Sequence, residues 1–341
     1  MELSYYKLKF TSPLHIGTNR PGFEFTDEIL HSDTLFSAVI NMWALLYPGD
    51  MALFLPGGGE DSLDFPWFQV SSAFPYQDSC FYFPKPFVRL NTGDKTNQKD
   101  PRIAKKIKQL KYLDQTLFEK AIHNEEIRIP ECSFSGNGQF LNAESGQKRS
   151  PDQAPFAIYD VPRVVKDRRS GSTMPFSFTR ICFQKKAGLW FAATFSEEQW
   201  AKRFRAALNL LGDTGIGGDR SVGHGQFSVA DTGIMELKVP ADTRHCLTLS
   251  LYHPKTAEIP AIREGASYQI IERKGWIFAG ISKPLRRQAV RMFKEGSVFG
   301  NSPSCGGDVV KVLDKDSAPG LDHHIYRYGI AFPIPCRAGG K

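Results

Sequence analysis

The sequence predicts an α+β protein built in two units, and three observations carry that expectation. Residues 3–83 read as strand, helix, strand, strand, which is most of a ferredoxin-like unit. A second helix with a marked start follows two strands placed between Pro175 and Phe195. From Cys246 onward strand signals return with little helix. A length of 341 residues also suits two modest domains better than one.

Residues 3–11 partly alternate apolar and polar before breaking at Pro13 and Gly17, which predicts an opening strand. Leu35, Val39, Met42, Trp43 and Leu46 then fall at helical spacing, with Ser32 or Asp33 as N-cap and Pro48-Gly49 as stop. Phe68–Phe74 and Cys80–Phe83 read as strands separated by turn residues. Residues 91–155 interrupt the pattern with Gly, Asn, Ser and charge, so they are expected to project as a basic, thumb-like insertion. Within it Ile103, Ile107, Leu110, Leu113 and Leu117 form one amphipathic stripe, long enough for about four helical turns that turn Lys105, Lys106, Lys108 and Lys111 outward. Strands resume at Pro175–Phe183 and Leu189–Phe195. Ser196 to Gln199 spells a capping box, Trp200, Phe204, Leu208 and Leu211 give the next helix its buried face, and Gly212 stands at its expected end. Beyond Cys246 the strand segments are Leu247–Tyr252, Tyr268–Arg273, Trp276–Ala279, Val309–Leu313 and Ile325–Phe332, with one modest amphipathic stretch around Arg286–Phe293.

Composition narrows the function classes. The net charge is +7, and residues 85–170 hold 17 Lys+Arg against 11 Asp+Glu, so +6 of it lies in a quarter of the chain. Three clusters stand out: Lys99–Lys111, Arg163–Arg169 with Lys166, Arg168 and Arg169, and Lys283–Lys294 with Arg286 and Arg287. A solvated face is the commoner explanation for one such cluster, while several together are the footprint of a polyanion. No apolar run approaches the roughly 20 residues of a membrane helix, and the opening residues lack a signal peptide's pattern. The expectation is a soluble, cytoplasmic protein with no membrane contact. Its six cysteines lie at least 31 residues apart, which argues against structural zinc and suits reduced thiols, mostly in the core.

The most informative segment runs from Gly212 to Gly225, with six glycines in fourteen residues: Gly212, Gly215, Gly217, Gly218, Gly223 and Gly225. Exposed backbone N–H groups and close main-chain approach suit phosphate oxygens. The loop also carries Asp219, Arg220, Ser221 and His224, which a bare hinge would not need. It is neither a Walker A loop nor a dinucleotide fingerprint. His15 and His31 are the available acid and base pair for metal-free RNA cleavage, although two loop histidines among eight are unremarkable. Asp33 is fully explained as a helix cap. No reaction centre and no cofactor or metal motif emerges.

Four segments in the first part of the chain are Leu14-His15-Ile16-Gly17, Ser32-Asp33-Thr34-Leu35-Phe36-Ser37-Ala38, Pro162-Arg163-Val164 with Asp167-Arg168, and Gly218–Gly225. Three more follow in order: Arg273 to Gly275, Glu295 to Phe299 and Tyr326 to Phe332. Together they resemble the RAMP superfamily of CRISPR proteins, and within it the subunits of type III-A (Csm) effector complexes that hold the 5′ handle of the crRNA. The resemblance spans about residues 3–335 and covers 91–155 least. It implies two ferredoxin-like, RRM-like domains, residues 1–90 plus 156–230 and 245–336, joined by the glycine-rich loop, with 91–155 as the thumb. It implies a non-catalytic subunit without cofactor or metal. Its neighbours would be the large polymerase-like subunit and the first backbone RAMP subunit, with target RNA nearby. Carried onto this chain, handle contacts fall on His15, Gly17, Ser32, Thr34, Arg163, Lys166, Arg168, Arg169, Gly215, Gly217, Gly218, Asp219, Arg220, Ser221, Gly223, His224, Arg286 and Arg287. The alternatives are a metal-independent crRNA-processing endoribonuclease using His15 or His31, and a general single-strand RNA chaperone.

Overall fold

The structure is a computed structural model that describes residues 1–18, 22–54, 67–93, 101–129, 132–143, 153–241, 243–263, 265–277, 285–300, 306–317, 321 and 323–337. Residues 278–279 of the strand expected at Trp276–Ala279 lie outside the described residues, as do Lys99, Lys283 and Cys305.

Strand β1 (Glu2–Phe10) and helix α1 (Ser32–Leu46) open the chain, followed by the short α2 (Met51–Phe54). Next come β2 (Phe68–Val70), β3 (Phe74–Gln77) and β4 (Cys80–Pro84), then α3 (Pro101–Gln109), β5 (Tyr112–Asp114), α4 (Gln115–His123), β6 (Cys132–Ser135) and β7 (Phe140–Ala143). A long hairpin, β8 (Phe156–Lys166) and β9 (Thr173–Phe183), precedes β10 (Ala187–Phe195), α5 (Glu198–Thr214) and β11 (Phe227–Glu236). The last third holds β12 (His245–Thr248), α6 (Ile259–Ile262), β13 (Ile270–Arg273), β14 (Val290–Phe293), β15 (Val298–Phe299), β16 (Gly307–Leu313), β17 (Ile325–Ile330) and β18 (Pro333–Cys336).

One mixed sheet of nine strands organises the molecule, in the order β11-β1-β10-β3-β4-β5-β7-β6, with β2 also paired to β10. All its pairs are antiparallel except β5 with β7. Helices α1 and α5 cover one face because each presents an apolar stripe: Leu35, Phe36, Val39, Met42 and Trp43 on α1, and Trp200, Phe204, Ala207, Leu208 and Leu211 on α5. Phenylalanine abundance is spent here. Phe68 stacks on Trp43 at 5.7 Å and meets Phe204 edge-on at 5.1 Å, and each such ring contributes roughly 1.5–3 kcal/mol by leaving water. The last third adds Leu247, Leu249, Val298, Phe332 and Ile334 to the same core.

Several local expectations are corrected. The residues 103–117 do not form one helix. Asp114 starts α4 instead, accepting the Leu117 N–H at 2.8 Å through Oδ1 while Oδ2 takes the Ala143 N–H at 2.6 Å, so Leu113 is drawn into a strand beside β4 and β7. The segment therefore extends the sheet, and Phe118 of α4 stacks on Phe83 at 4.4 Å. Lys111 pairs with Glu28 at 2.8 Å. The capping box at Ser196 does not form, since Glu197 is the N-cap and the Ser196 hydroxyl turns to the Trp67 carbonyl. Helix α5 runs past Gly212 to Thr214. Gly212 serves close packing, because a Cβ there would sit 2.3 Å from the Phe227 carbonyl oxygen. The stretch around Arg286–Phe293 ends in strand β14, paired with β13, where cross-strand bonds outweigh a modest helical period. Strand β8 had no clear sequence signal. Cys246 is disulfide-bonded rather than reduced, while Cys182 and Cys336 carry free thiols.

Candidate nucleic-acid interface

The glycine-rich loop begins where Gly215, at φ +82°, ends α5 with its N–H on the Leu211 carbonyl. It is then sewn to residues 13–15: Gly218 N–H donates to the His15 carbonyl at 2.8 Å and Gly225 N–H to the Pro13 carbonyl at 2.8 Å. Two glycines are required by this closeness, since a Cβ at Gly217 would lie 2.2 Å from the His15 oxygen and one at Gly225 1.9 Å from the Ile216 oxygen. Gly223 N–H bonds to the Arg220 carbonyl at 3.0 Å. The expectation of an open backbone cradle is thus corrected: these glycine amides are taken up by residues 13–15, by the end of α5 and by the loop itself. What the loop offers outward is a short 3-10 turn, Arg220–Val222, in which Ser221 and Val222 are exposed.

His15 is the post to which this loop is tied. It is buried, its Nδ1–H donates to the Thr179 carbonyl of β9 at 2.8 Å, and its ring lies 4.6 Å from Phe178. The same Phe178 ring carries the Arg163 guanidinium at 4.4 Å, and Arg163 pairs with Asp219 of the loop at 2.5 Å. His224 Nε2 stands 3.9 Å from that carboxylate. Burial and the nearby Arg180 hold His224 below the usual histidine range, against the pull of Asp219, so it is neutral at pH 7. The hairpin thus leaves the body past Arg163 and carries Lys166, Arg168 and Arg169 to an exposed tip. Asp167 shapes that tip, accepting the Arg169 N–H at 2.8 Å and the Ser170 hydroxyl at 2.9 Å. Gly17 is exposed beside an isolated bridge to Thr26.

Other expected site residues lie elsewhere. Ser32 is fully buried, and its hydroxyl accepts the Leu251 N–H at 3.0 Å. Thr34 accepts from Arg273 at 2.9 Å. Asp33 caps nothing: its carboxylate is held by Arg273, with two bonds of 3.0 Å, and by Arg327. Burial opposes its charge, but Arg273 and Arg327 outweigh burial and keep its carboxyl well below the usual range. His31, also fully buried, bonds Glu295 at 2.7 Å through Nδ1 and Asp27 at 3.0 Å through Nε2, and Ser72 donates to the same Glu295. Burial disfavours its charged form, yet Glu295 and Asp27 push it up to about 9. A histidine so held is a fixed imidazolium and has no lone pair to act as a base.

Arg287 lies beside this clamp, its charged form disfavoured by burial and by Arg327, and the exposed Arg286 sits 5.9 Å from the Trp276 ring. Sequence reasoning missed Phe178 and Arg180. Their signal was the period-2 spacing with Phe176, which places all three on one face of β9. Among the described residues no group of three His, Cys, Asp or Glu side chains is placed to hold a metal, and no helix is long and apolar enough to cross a membrane.

A helix-covered sheet, a loop of glycines tied to an Arg-bearing hairpin, and an order of motifs shared along the chain place this protein in a superfamily: the RAMP superfamily model matches residues 7–228, and the chain belongs to that family. More narrowly, residues 241–336 match the CRISPR Csm4 C-terminal domain. Over 320 residues the chain is 29% identical to the CRISPR system protein Csm4 of Thermococcus onnurineus, covering 90% of this chain and 91% of the relative. The Csm4 protein of Mycobacterium tuberculosis is 26% identical over 269 residues, 76% of each chain. Among solved structures, a chain of a Csm1–Csm4 cassette in complex with cA4 shares the fold at TM-score 0.61 and 22% identity, with 100% of both chains covered. A chain of a Csm3–Csm4 subcomplex from a type III-A interference complex does so at 0.64 and 18%, with 99% of this chain and 100% of that one covered.

Proposed function

We propose that this chain is a non-catalytic RNA-binding subunit of a type III-A CRISPR effector complex, and that it grips the 5′ handle of the crRNA. The observation that carries the reading is the Arg163–Asp219 contact, which brings the basic hairpin and the glycine-rich loop together at one surface. Lys166, Arg168 and Arg169 extend that surface as phosphate contacts, and Arg220, Ser221 and His224 face the strand from the loop. Such contacts position RNA without reading sequence, which base pairing with the target supplies. Gly17 and Arg286 lie exposed and are assigned to the same interface, with Arg287 behind Arg286, whereas Ser32 and Thr34 support it from inside.

The strand order β11-β1-β10-β3 with α1 and α5 on one face supports a ferredoxin-like unit in residues 1–90 plus 156–230. We assign residues 245–336 to a second, more broken one. The part of the thumb expected of 91–155 falls instead to hairpin β8–β9, and α3 with Lys105, Lys106 and Lys108 is left for RNA or the large subunit. The solved Csm1–Csm4 and Csm3–Csm4 assemblies, whose Csm4 chains share this fold, support docking on a large subunit and on a backbone RAMP subunit, and we assign the complex to the cytoplasm. Sequencing RNA that copurifies with the tagged chain from cells tests the function. Uniform 5′ ends carrying a repeat-derived tag support it, a random population points to a general RNA chaperone, and cleavage products of added repeat RNA point to the endoribonuclease.

A further inference from the structure

We propose that Asp219 is a built-in stand-in for an RNA phosphate, holding Arg163 until a phosphodiester displaces its carboxylate. The inference rests on the RNA-binding reading above and adds how that site is regulated. Phe178 carries two guanidinium groups, Arg163 at 4.4 Å and Arg180 at 5.8 Å from its centroid. Arg163 is paired with Asp219, whereas Arg180 forms no ion pair among the described residues. Two arginines against one carboxylate leave the spot net positive, so it retains attraction for a second anion while Asp219 is in place.

A carboxylate and a phosphodiester present the same pair of acceptor oxygens to a guanidinium, so one can replace the other without moving Arg163 off its ring. Asp33 marks the contrast. Its side chain is 1% exposed and locked between two buried arginines, while Asp219 is 17% and Arg163 26% exposed, within reach of an incoming ligand. Asp219 also sits in the left-handed region at φ +66°, and its Oδ2, although buried against Arg163, has no hydrogen-bond partner, so the ion pair alone holds the carboxylate there. In the free protein the internal pair keeps Arg163 oriented and stops small anions from occupying it. RNA binding then gives up one internal ion pair, and one fewer counterion is released overall.

Asparagine and glycine both accept the left-handed backbone at this position, so Asp219→Asn and Asp219→Gly retain the loop. Binding of a short fluorescent single-stranded RNA to the full chain is titrated against salt. Both variants are expected to bind more tightly at low salt, and the magnitude of the log K versus log salt slope should rise by about 0.7, the value of one added phosphate contact on a single strand. Arg163→Ala should abolish that rise in the Asp219→Asn background. An unchanged or shallower slope, a rise that survives loss of Arg163, or unfolding of both variants overturns the role of Asp219 while the RNA-binding reading stands. Wild-type protein that shows no salt-dependent RNA binding overturns that reading, and this one with it.

Discussion

The Asp33 carboxylate receives two hydrogen bonds from the Arg273 side chain, each 3.0 Å long, across 240 residues of sequence. Arg327 closes on the same carboxylate. The start of α1 is thereby fastened to β13 and β17, and Ser72 adds a backbone tie to the Leu249 carbonyl at 2.9 Å. The glycine-rich loop and the β8–β9 hairpin belong to one part of the chain and the Arg286–Arg287 region to the other, and this clamp joins the two parts.

Asp33→Asn should leave two buried guanidinium groups without a counter-charge. The loss is expected at about 3–5 kcal/mol, because removing one partner of a buried pair exposes the full desolvation penalty of the rest. Urea unfolding measures it, and a loss under about 1 kcal/mol would show that water reaches the arginines.

Stability should fall with alkaline pH. The folded value of His31 is about 9, above the unfolded 6.5, so its contribution is complete below about 6.5 and is lost as pH rises through 9. Asp27, Asp33 and Glu295 are depressed on folding, so theirs is present above the ordinary carboxylate range and is lost as pH falls. His31→Gln should be less stable at neutral pH and flat across the alkaline window. A wild-type profile without an alkaline decline contradicts a charged His31.

The glycines should separate by their surroundings. Gly223 has φ +84° and open space, so Gly223→Ala is expected to cost only the left-handed strain of about 1–2 kcal/mol. Gly217→Ala forces a methyl group against the His15 carbonyl and should be several times worse. Gly218→Val also strikes the His15 ring, at 2.8 Å for the Cβ, so it disturbs the fold as well as the ligand surface. Thermal unfolding of the three variants checks the order.

At the hairpin tip, alanine at Lys166, Arg168 or Arg169 should each lower the magnitude of the RNA-binding salt slope by about 0.7 where a phosphate contact is lost. Lys111→Ala should leave it unchanged, because Lys111 is engaged with Glu28. Slopes that ignore the tip residues would reduce it to a solvated turn.

Repeat-derived RNA incubated with the purified chain, with and without divalent metal, should remain intact. His31 is a buried imidazolium and His15 is bound through Nδ1 to the Thr179 carbonyl. Metal-free cleavage abolished by His15→Ala or His31→Ala would restore the endoribonuclease.

The sequence by itself determined the elements whose signal is local. Trp43 and its neighbours on α1, Trp200 and Phe204 on α5, and the apolar run of β10 announce themselves by period and by flanking breakers, since a short segment must bury its own stripe. The segments that carry His15, Asp33, Arg163, Gly218–Gly225, Arg273 and Glu295 are also legible as motifs, and the structure joins them through hydrogen bonds and ion pairs. Their roles were not legible in the sequence. A carboxylate that caps a helix and one that neutralises two distant arginines look alike along the chain, because pairing across 240 residues leaves no period. A glycine that admits a ligand and one that admits the His15 carbonyl are likewise indistinguishable until the loop is folded. Strand β8, exposed along most of its length and steadied by β9 and by Phe178, carries no buried stripe to betray it. Tertiary structure decided these points, because burial and charge pairing are set by which distant groups share a low-dielectric space.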